Sequence, residues 1–205
     1  HHGKRAGDIV KGMLLHSRNS SGIKEPTDVD KLTDEYLQLA VHGFRSKDNS
    51  FNANINTHYD ESIGKIKIIP QDIGRVILNL ITNAFYAVTE KKKAPPSPQE
   101  NLTGALKDAK EYEPALSVAC QAIGPPQNGL DGSEIDIIIV DNGNVIHQKA
   151  LDKIFFFFFT TKPAGQGTGL GLSLSYDIVK AHGGEIKVKT KEGEGSTFII
   201  QLPIM

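Results

Sequence analysis

Residues 141–172 read D-N-G-N-V-I-H-Q-K-A-L-D-K-I-F-F-F-F-F-T-T-K-P-A-G-Q-G-T-G-L-G-L. Just before them, Ile135 to Val140, broken only by Asp136, is apolar on both faces, the pattern of a central strand, and it runs into Asp141. Just after them, Leu170, Leu174, Ile178 and Ala181 recur at helical spacing. Between strand and helix, Gly165, Gly167, Gly169 and Gly171 stand at alternate positions. Glycine admits positive φ and close backbone approach, and successive backbone N–H groups at a helix start attract an anion. Taken alone, the stretch fits either a phosphate cradle or a plain loop.

Upstream, Pro70-Gln71-Asp72 opens the clearest helix of the chain, with Ile73, Val76, Ile77, Leu80, Ile81, Ala84 and Val88 on one face. Asn79 and Asn83 are four apart, so they stack at the margin of that apolar stripe, roughly 100° from its centre. Asparagines on a buried margin need partners. Two readings stay open: side-chain hydrogen bonds to a neighbouring loop, or amide oxygens offered to a hard cation. Mg2+ takes one or two protein oxygens and completes its shell with phosphates and water. Tyr86 falls near the same face, as an amphipathic residue at the core edge.

Towards the N-terminus, residues 4–18 carry a helical pattern, broken at Ser20-Ser21-Gly22. A helix over about 28–45 follows, capped by Thr27 or Asp28, with Val29, Leu32, Tyr36, Leu39 and Ala40 spaced for burial. After a polar loop, strands are predicted at 53–59 and 65–69, joined as a hairpin through Glu61-Ser62-Ile63-Gly64. Lys91-Lys92-Lys93 reads as a solvated helix end, and 91–112 as an exposed connection with a short helix around 103–112. Strands at about 115–121 and 133–140 flank a turn-rich segment. Gly183-Gly184 stops the late helix, and Glu185–Thr190 with Ser196–Leu202 form a last hairpin.

A net charge of −1 gives the chain as a whole no draw to nucleic acid. Cys120 is the single cysteine, so no internal disulfide forms; it alternates with Val118 and Leu116 as a buried thiol. No run reaches the ~18 apolar residues that span a bilayer. A cytoplasmic location is expected, with membrane attachment of a longer protein left open. The chain begins His1-His2 and reads as a fragment or as carrying a tag remnant. The histidines lack metal-ligand spacing, and there is no G-x-x-x-x-G-K-[ST].

In order along the chain stand N-L-I-T-N-A-F-Y-A (79–87), D-N-G (141–143), I-F…F-F-T-T-K-P (154–163), G-Q-G-T-G-L-G-L (165–172) and G-E-G-S-T-F (193–198). Over roughly residues 50–205 this set resembles the ATP-binding catalytic domain of bacterial two-component sensor histidine kinases, within the superfamily shared with DNA gyrase, Hsp90 and MutL. The resemblance implies an α/β (α+β) two-layer sandwich, a mixed and mostly antiparallel sheet on about three helices. Residues 27–205 would be the catalytic domain. Residues 1–26 resemble the second helix of a dimerisation and phosphoacceptor hairpin plus linker, ending near Ser17-Arg18. No segment resembles the first helix of that hairpin, so the phosphoacceptor histidine is expected on another segment.

By the same resemblance, ATP and Mg2+ are the cofactors. Asn83 would bind the metal, Asn79 would lie beside the phosphates, and Lys162 would reach phosphate oxygens from a mobile lid. Asp141 would accept a hydrogen bond from the adenine amino group, and Gly143 would let the backbone pass close to the base. Gly165, Gly167, Gly169 and Gly171 would cradle the nucleotide, together with Thr161, Thr168 and Leu170. Thr197 would line the adenine pocket. The implied partners are a phosphoacceptor hairpin, a response regulator and a second copy in the full-length protein. The superfamily's hydrolases carry an acid where this chain has Asn79, which favours a kinase over an ATP hydrolase. A docking module without nucleotide is the reading from another class. Val145 and His147 stand where the family has glycine and proline, and Val145 would be strained if that position needs positive φ. Phe155 to Phe159 cannot all be buried on one face of a lid, so exposed aromatics, weakened ATP affinity or a displaced lid are expected.

Overall fold

The computed structural model describes residues 22–94, 112–124, 134–163 and 166–204. The helices expected over 4–18 and around 103–112, and Gly165, lie outside the described residues. β1 (Glu25–Asp28) spans the expected boundary at residue 26 and leads into α1 (Val29–Arg45). β2 (Asn54–Tyr59), β3 (Lys65–Ile68) and α2 (Pro70–Lys93) follow. Then come β4 (Ala115–Ile123), β5 (Glu134–Asp141), the single turn α3 (Gln148–Leu151), α4 (Gly171–Ala181), β6 (Glu185–Lys191) and β7 (Gly195–Pro203).

Five strands form one sheet in the order β2-β4-β5-β7-β6, parallel between β2 and β4 and antiparallel elsewhere. α1, α2 and α4 form the second layer, and the chain is the expected two-layer sandwich. Side chains alternate between the faces of a strand, so the pairing register determines which residues share a face. Cys120, Ile137, Ile200 and Ile186 form one inner row across four strands. Val118, Ile139, Phe198 and Val188 form the next. Against these rows α2 packs Ile73, Val76, Ile77, Leu80, Ile81, Ala84 and Val88, all buried as the spacing predicts, and Phe85, which the spacing did not mark. Each fully buried aliphatic side chain contributes about 1.5–3 kcal/mol from leaving water, so α2 is the hub of the core.

Local signals set the helix ends. Asp28 caps α1 by accepting the Lys31 N–H at 3.1 Å. Pro70 stands in the first turn of α2, where its missing N–H costs nothing. Gly183, at φ +81, ends the run after α4, and the Gly184 N–H returns to the Val179 carbonyl at 2.9 Å.

Four expectations need correction. β2 and β3 exist but do not form a hairpin: β2 pairs with β4, and β3 pairs antiparallel with β1. Leu39 is exposed, and α1 buries Thr33, Leu37 and Val41 instead. On α4, Ala181 is exposed and Leu174 and Ile178 are half-buried; the buried positions are Ser173, Ser175 and Val179. The small residues of α4 face inward because the helix lies close to α2 at Asn79, which leaves no room for a leucine. Val145 is not strained, because the non-glycine residue at positive φ among the described ones is Phe158 (φ 64).

Candidate functional site

One more inner row lies at the end of the sheet, made of Leu116, Asp141, Ser196 and Thr190. Here the core changes from apolar to polar. Asp141 is 3% exposed. Its Oδ1 accepts the Gly143 N–H at 2.8 Å. Burial pushes its carboxyl up to about 6, against the N–H groups of Gly143 and Ser196 and the charge of Lys91, which pull it down. The hydroxyls of Thr190 and Ser196 are 3.3 Å apart, and Thr190 also accepts the Ile146 N–H at 3.2 Å.

The turn after Asp141 lies flat on α2. A Cβ on Gly143 would come 2.5 Å from the Ala87 carbonyl carbon and 2.6 Å from the Val88 nitrogen. The Asn144 N–H reaches the Ala87 carbonyl at 3.4 Å. This is the position that requires glycine, because the obstacle is helix backbone and cannot rotate away. Asn83 precedes Ala87 by one turn, a rise of about 6 Å along the axis.

Asn83 and Asn79 are half-buried on that side of α2. Asn83 Oδ1 accepts the Lys162 ammonium at 2.8 Å. The same ammonium lies 4.4 Å from the centre of the Tyr86 ring. Burial lowers the Lys162 pKa below the ordinary lysine value. The Tyr86 hydroxyl reaches Gln166 Oε1 at 3.3 Å, a second tie between α2 and the loop over it. One turn earlier, Asn79 Nδ2 donates to Ser175 Oγ at 2.9 Å, and Ser175 donates to the Gly171 carbonyl at 2.9 Å. A Cβ on Gly171 would come 2.3 Å from Asn79 Oδ1, so the start of α4 sits directly on that amide.

Gly169, at φ +70, accepts the Phe158 N–H at 2.9 Å, which joins the two arms of the loop. A Cβ on Gly167 would come 2.6 Å from Thr160 Oγ1. Leu170 is buried. Thr161 and Thr168 are exposed, and Thr168 Oγ1 accepts the Leu170 N–H at 3.4 Å. Phe156, Phe157 and Phe158 are exposed at 62%, 50% and 48%, as five consecutive aromatics require. Ile154 is buried, and Phe155 rests on Tyr176 at 5.4 Å between ring centres.

The structure therefore gathers Asn79, Asn83, Asp141, Gly143, Lys162, Gly167, Gly169, Leu170 and Gly171 along one side of α2. It does not bring Thr197 there. Thr197 pairs with Val140 and Lys189 on the outer face of the sheet, one residue out of phase with Asp141. Its neighbour Ser196 is the buried hydroxyl beside the carboxylate. The signal was available: Ser196 continues the stripe Phe198, Ile200, Leu202 at period two. Thr190, Lys91 and Tyr112 were also missed, and no local pattern marks them. Lys91 turns back from the helix end to donate to the Asn142 carbonyl at 2.7 Å. Among the described residues no group of three or more His, Cys, Asp or Glu side chains is placed to hold a metal ion, and no helix is long and apolar enough to cross a membrane.

Residues 68–205 match the model of the histidine kinase-, DNA gyrase B-, and HSP90-like ATPase family. The chain belongs to that family, and ATP is the ligand that membership implies. Among curated relatives, the sensor histidine kinase ZraS of Escherichia coli (strain K12) is 28% identical over 200 residues, 98% of this chain and 35% of ZraS. The sensor kinase CckA of Brucella abortus (strain 2308) is 47% identical over 203 residues, 97% of this chain and 19% of CckA. The chain thus spans about a third or less of the length of these relatives. Among solved structures, the catalytic domain of the histidine kinase ThkA aligns with a TM-score of 0.62 at 20% identity, over 88% of this chain and 95% of that one, a likeness of fold.

Proposed function

We propose that this chain is the ATP-binding catalytic part of a sensor histidine kinase, which transfers the ATP γ-phosphoryl group to a histidine on a partner helix. The observation that carries this reading is that the turn after Asp141 rests through Gly143 on Ala87 of α2, one helical turn from Asn83, to which the loop delivers Lys162. The donor set fits Mg-ATP. Asn83 already offers its amide oxygen to a cation, the Lys162 ammonium. The turn at Gly143 is kept free of any Cβ beside the helix backbone. Bound Mg-ATP supplies the phosphoryl group and the metal charge that neutralises it.

The chain's own residues then bind and position. Asp141, ionised, accepts from the exocyclic amino group of adenine, and the Ser196 hydroxyl stands beside it in place of Thr197. Asn83 would hold the metal, and Asn79 would face the phosphates. Lys162 would leave Asn83 for phosphate oxygens, as a flexible point charge can. Gly167, Gly169 and Gly171 would bring backbone N–H groups to the phosphates at the start of α4, with Thr161, Thr168 and Leu170 shaping the loop around them. Catalysis of this kind rests on positioning and charge neutralisation. Asn79 is engaged with Ser175 and has no proton-accepting carboxylate, which supports transfer to a partner over hydrolysis. The acceptor helix and a response regulator are the partners, and a second copy belongs to the longer protein.

Calorimetric titration with Mg-ATP tests the first half of this reading, and labelled ATP with a phosphoacceptor hairpin added in trans tests the second. Binding that is lost in Asp141→Asn, and label appearing on the hairpin histidine, are the expected results. No binding by the wild type would instead support a docking module, which the three exposed phenylalanines also suit. Release of phosphate without label on the hairpin would support a hydrolase.

A further inference from the structure

The turn that carries Asp141 is gripped from two sides by residues outside every motif. The Lys91 ammonium donates to the Asn142 carbonyl at 2.7 Å and lies 4.8 Å from the centre of the Tyr112 ring. The Tyr112 hydroxyl donates to Asn142 Oδ1 at 2.9 Å and reaches the Asn142 carbonyl at 3.3 Å. Asn142 is tied further: Oδ1 accepts the Ala115 N–H at 2.9 Å, and Nδ2 donates to the Glu113 carbonyl at 2.9 Å. Lys91 comes from the last turn of α2, and Tyr112 from the segment that enters β4. Asn142 is thus the point where helix, strand entry and nucleotide turn are joined.

We propose that Lys91 and Tyr112 are positioning residues for adenine recognition, clamping Asn142 so that the Asp141 carboxylate is held in the orientation the exocyclic amino group needs. The proposal rests on the reading of Asp141 as the adenine acceptor. Geometry gives the clamp a second effect. Asp141 is almost fully buried, and its recognition task requires the ionised form. The groups that act on it are the N–H donors of Gly143 and Ser196, which are neutral, and Lys91, which is charged. Tyr112, facing it from the entry to β4, is itself pushed up to about 12 by burial and by Asp141, so it stays protonated and keeps donating. Ser196 and Thr190 face it from β7 and β6 as uncharged hydroxyls. The two N–H donors do most to offset burial, and Lys91 is the one charged group among the described residues that adds to them in favouring the carboxylate form.

The test uses the wild type, Lys91→Met, Lys91→Arg, Tyr112→Phe and Asp141→Asn. Mg-ADP affinity is measured by calorimetry from about pH 5 to about pH 8, and the Asp141 carboxyl is titrated by carbon-13 NMR in the free protein. Wild-type affinity falls on the acid side as Asp141 takes up its proton. Lys91→Met binds about three- to tenfold more weakly at neutral pH, from the loss of one charge-assisted hydrogen bond, and its acid limb moves to higher pH. Lys91→Arg restores the limb, Tyr112→Phe weakens binding less than Lys91→Met does, and Asp141→Asn has no limb left to move. A limb unmoved in Lys91→Met, or a uniform loss at every pH that arginine does not rescue, would overturn the proposal. If the wild type bound no adenine nucleotide, the assigned function would fall. The NMR titration would still decide whether Lys91 governs Asp141.

Discussion

Replacing Asp141 by asparagine should make this protein more stable while abolishing its binding of adenine nucleotide. The carboxyl is 3% exposed, and its pKa of about 6 lies above the ordinary 3.8. Between those two values the folded protein holds a proton that the unfolded chain has released. Folding takes up a proton there, so this group's contribution is fully present below about pH 4 and is lost as pH rises through about 6. At ~1.4 kcal/mol per unit, a gap of about two units costs the native state about 3 kcal/mol at neutral pH. Asparagine has nearly the same shape, and its amide oxygen can keep the Gly143 N–H bond of 2.8 Å. Its amide NH2, however, would be turned towards the Ser196 N–H, and that mismatch returns about 1–2 kcal/mol of the gain. A net stabilisation of about 1–2 kcal/mol is expected at pH ~7.5. Urea unfolding of both proteins at several pH values reads it directly. The difference should shrink as the pH is lowered through about 6 towards the ordinary carboxyl value of 3.8, where the folded carboxyl is neutral and the unfolded one is half protonated. An Asp141→Asn protein less stable than wild type at neutral pH, or a difference that does not change with pH, would refute the argument.

Gly143→Ala should cost about 1–3 kcal/mol of stability, as overpacking does. It should also abolish measurable Mg-ADP binding, because relieving contacts of 2.5 and 2.6 Å against helix backbone moves the turn by about 1 Å. Unfolding midpoints and calorimetry check both effects. Ser196→Ala should weaken Mg-ADP roughly two- to tenfold by removing one polar contact, whereas Thr197→Val should leave affinity unchanged. The reverse order would return the pocket to the residue on the outer face.

What was legible in the sequence is what a single element declares by itself. α2 announces its start with Pro70 and its buried face with seven spaced apolar residues, and β5 announces a central strand by the unbroken apolar run Ile137 to Val140 on both faces. Pairing over distance was not legible. The segment Glu61–Gly64 looks like a hairpin turn because turn chemistry is local. Whether β2 then pairs with β3 or crosses to β4 depends on surfaces that belong to the rest of the fold. β2 exposes most of its residues and survives as an edge strand on one parallel neighbour. β3 turns Ile66 and Ile68 inward and pairs with β1, a strand that begins with Glu25-Pro26 and carries no apolar alternation at all. Lys91 failed for the same reason: a lysine in the last turn of a helix reads as solvated until a carbonyl from residue 142 is placed beneath it.

The Thr197 expectation failed differently, and it shows where the site gets its chemistry. A motif names a neighbourhood of residues, but a strand sends alternate ones to opposite faces, so an error of a single position exchanges the core for the solvent. The inner rows of the sheet are isoleucine, valine, leucine, phenylalanine and the Cys120 thiol until the row of Asp141, Ser196 and Thr190. That row is no weaker as a place in the fold, because it is still covered by α2 and the turn at Gly143. It is the place where burial continues after the apolar residues stop. A carboxylate there is costly to keep charged, an asparagine pair across from it must find partners, and the loop above spans Phe158 at φ 64. Asp72, Asp136 and His182 are buried elsewhere in the core, but the carboxylate, the asparagines and the strained loop residue come together in this one region, and such clustering is expected where binding chemistry, not stability, has set the residues.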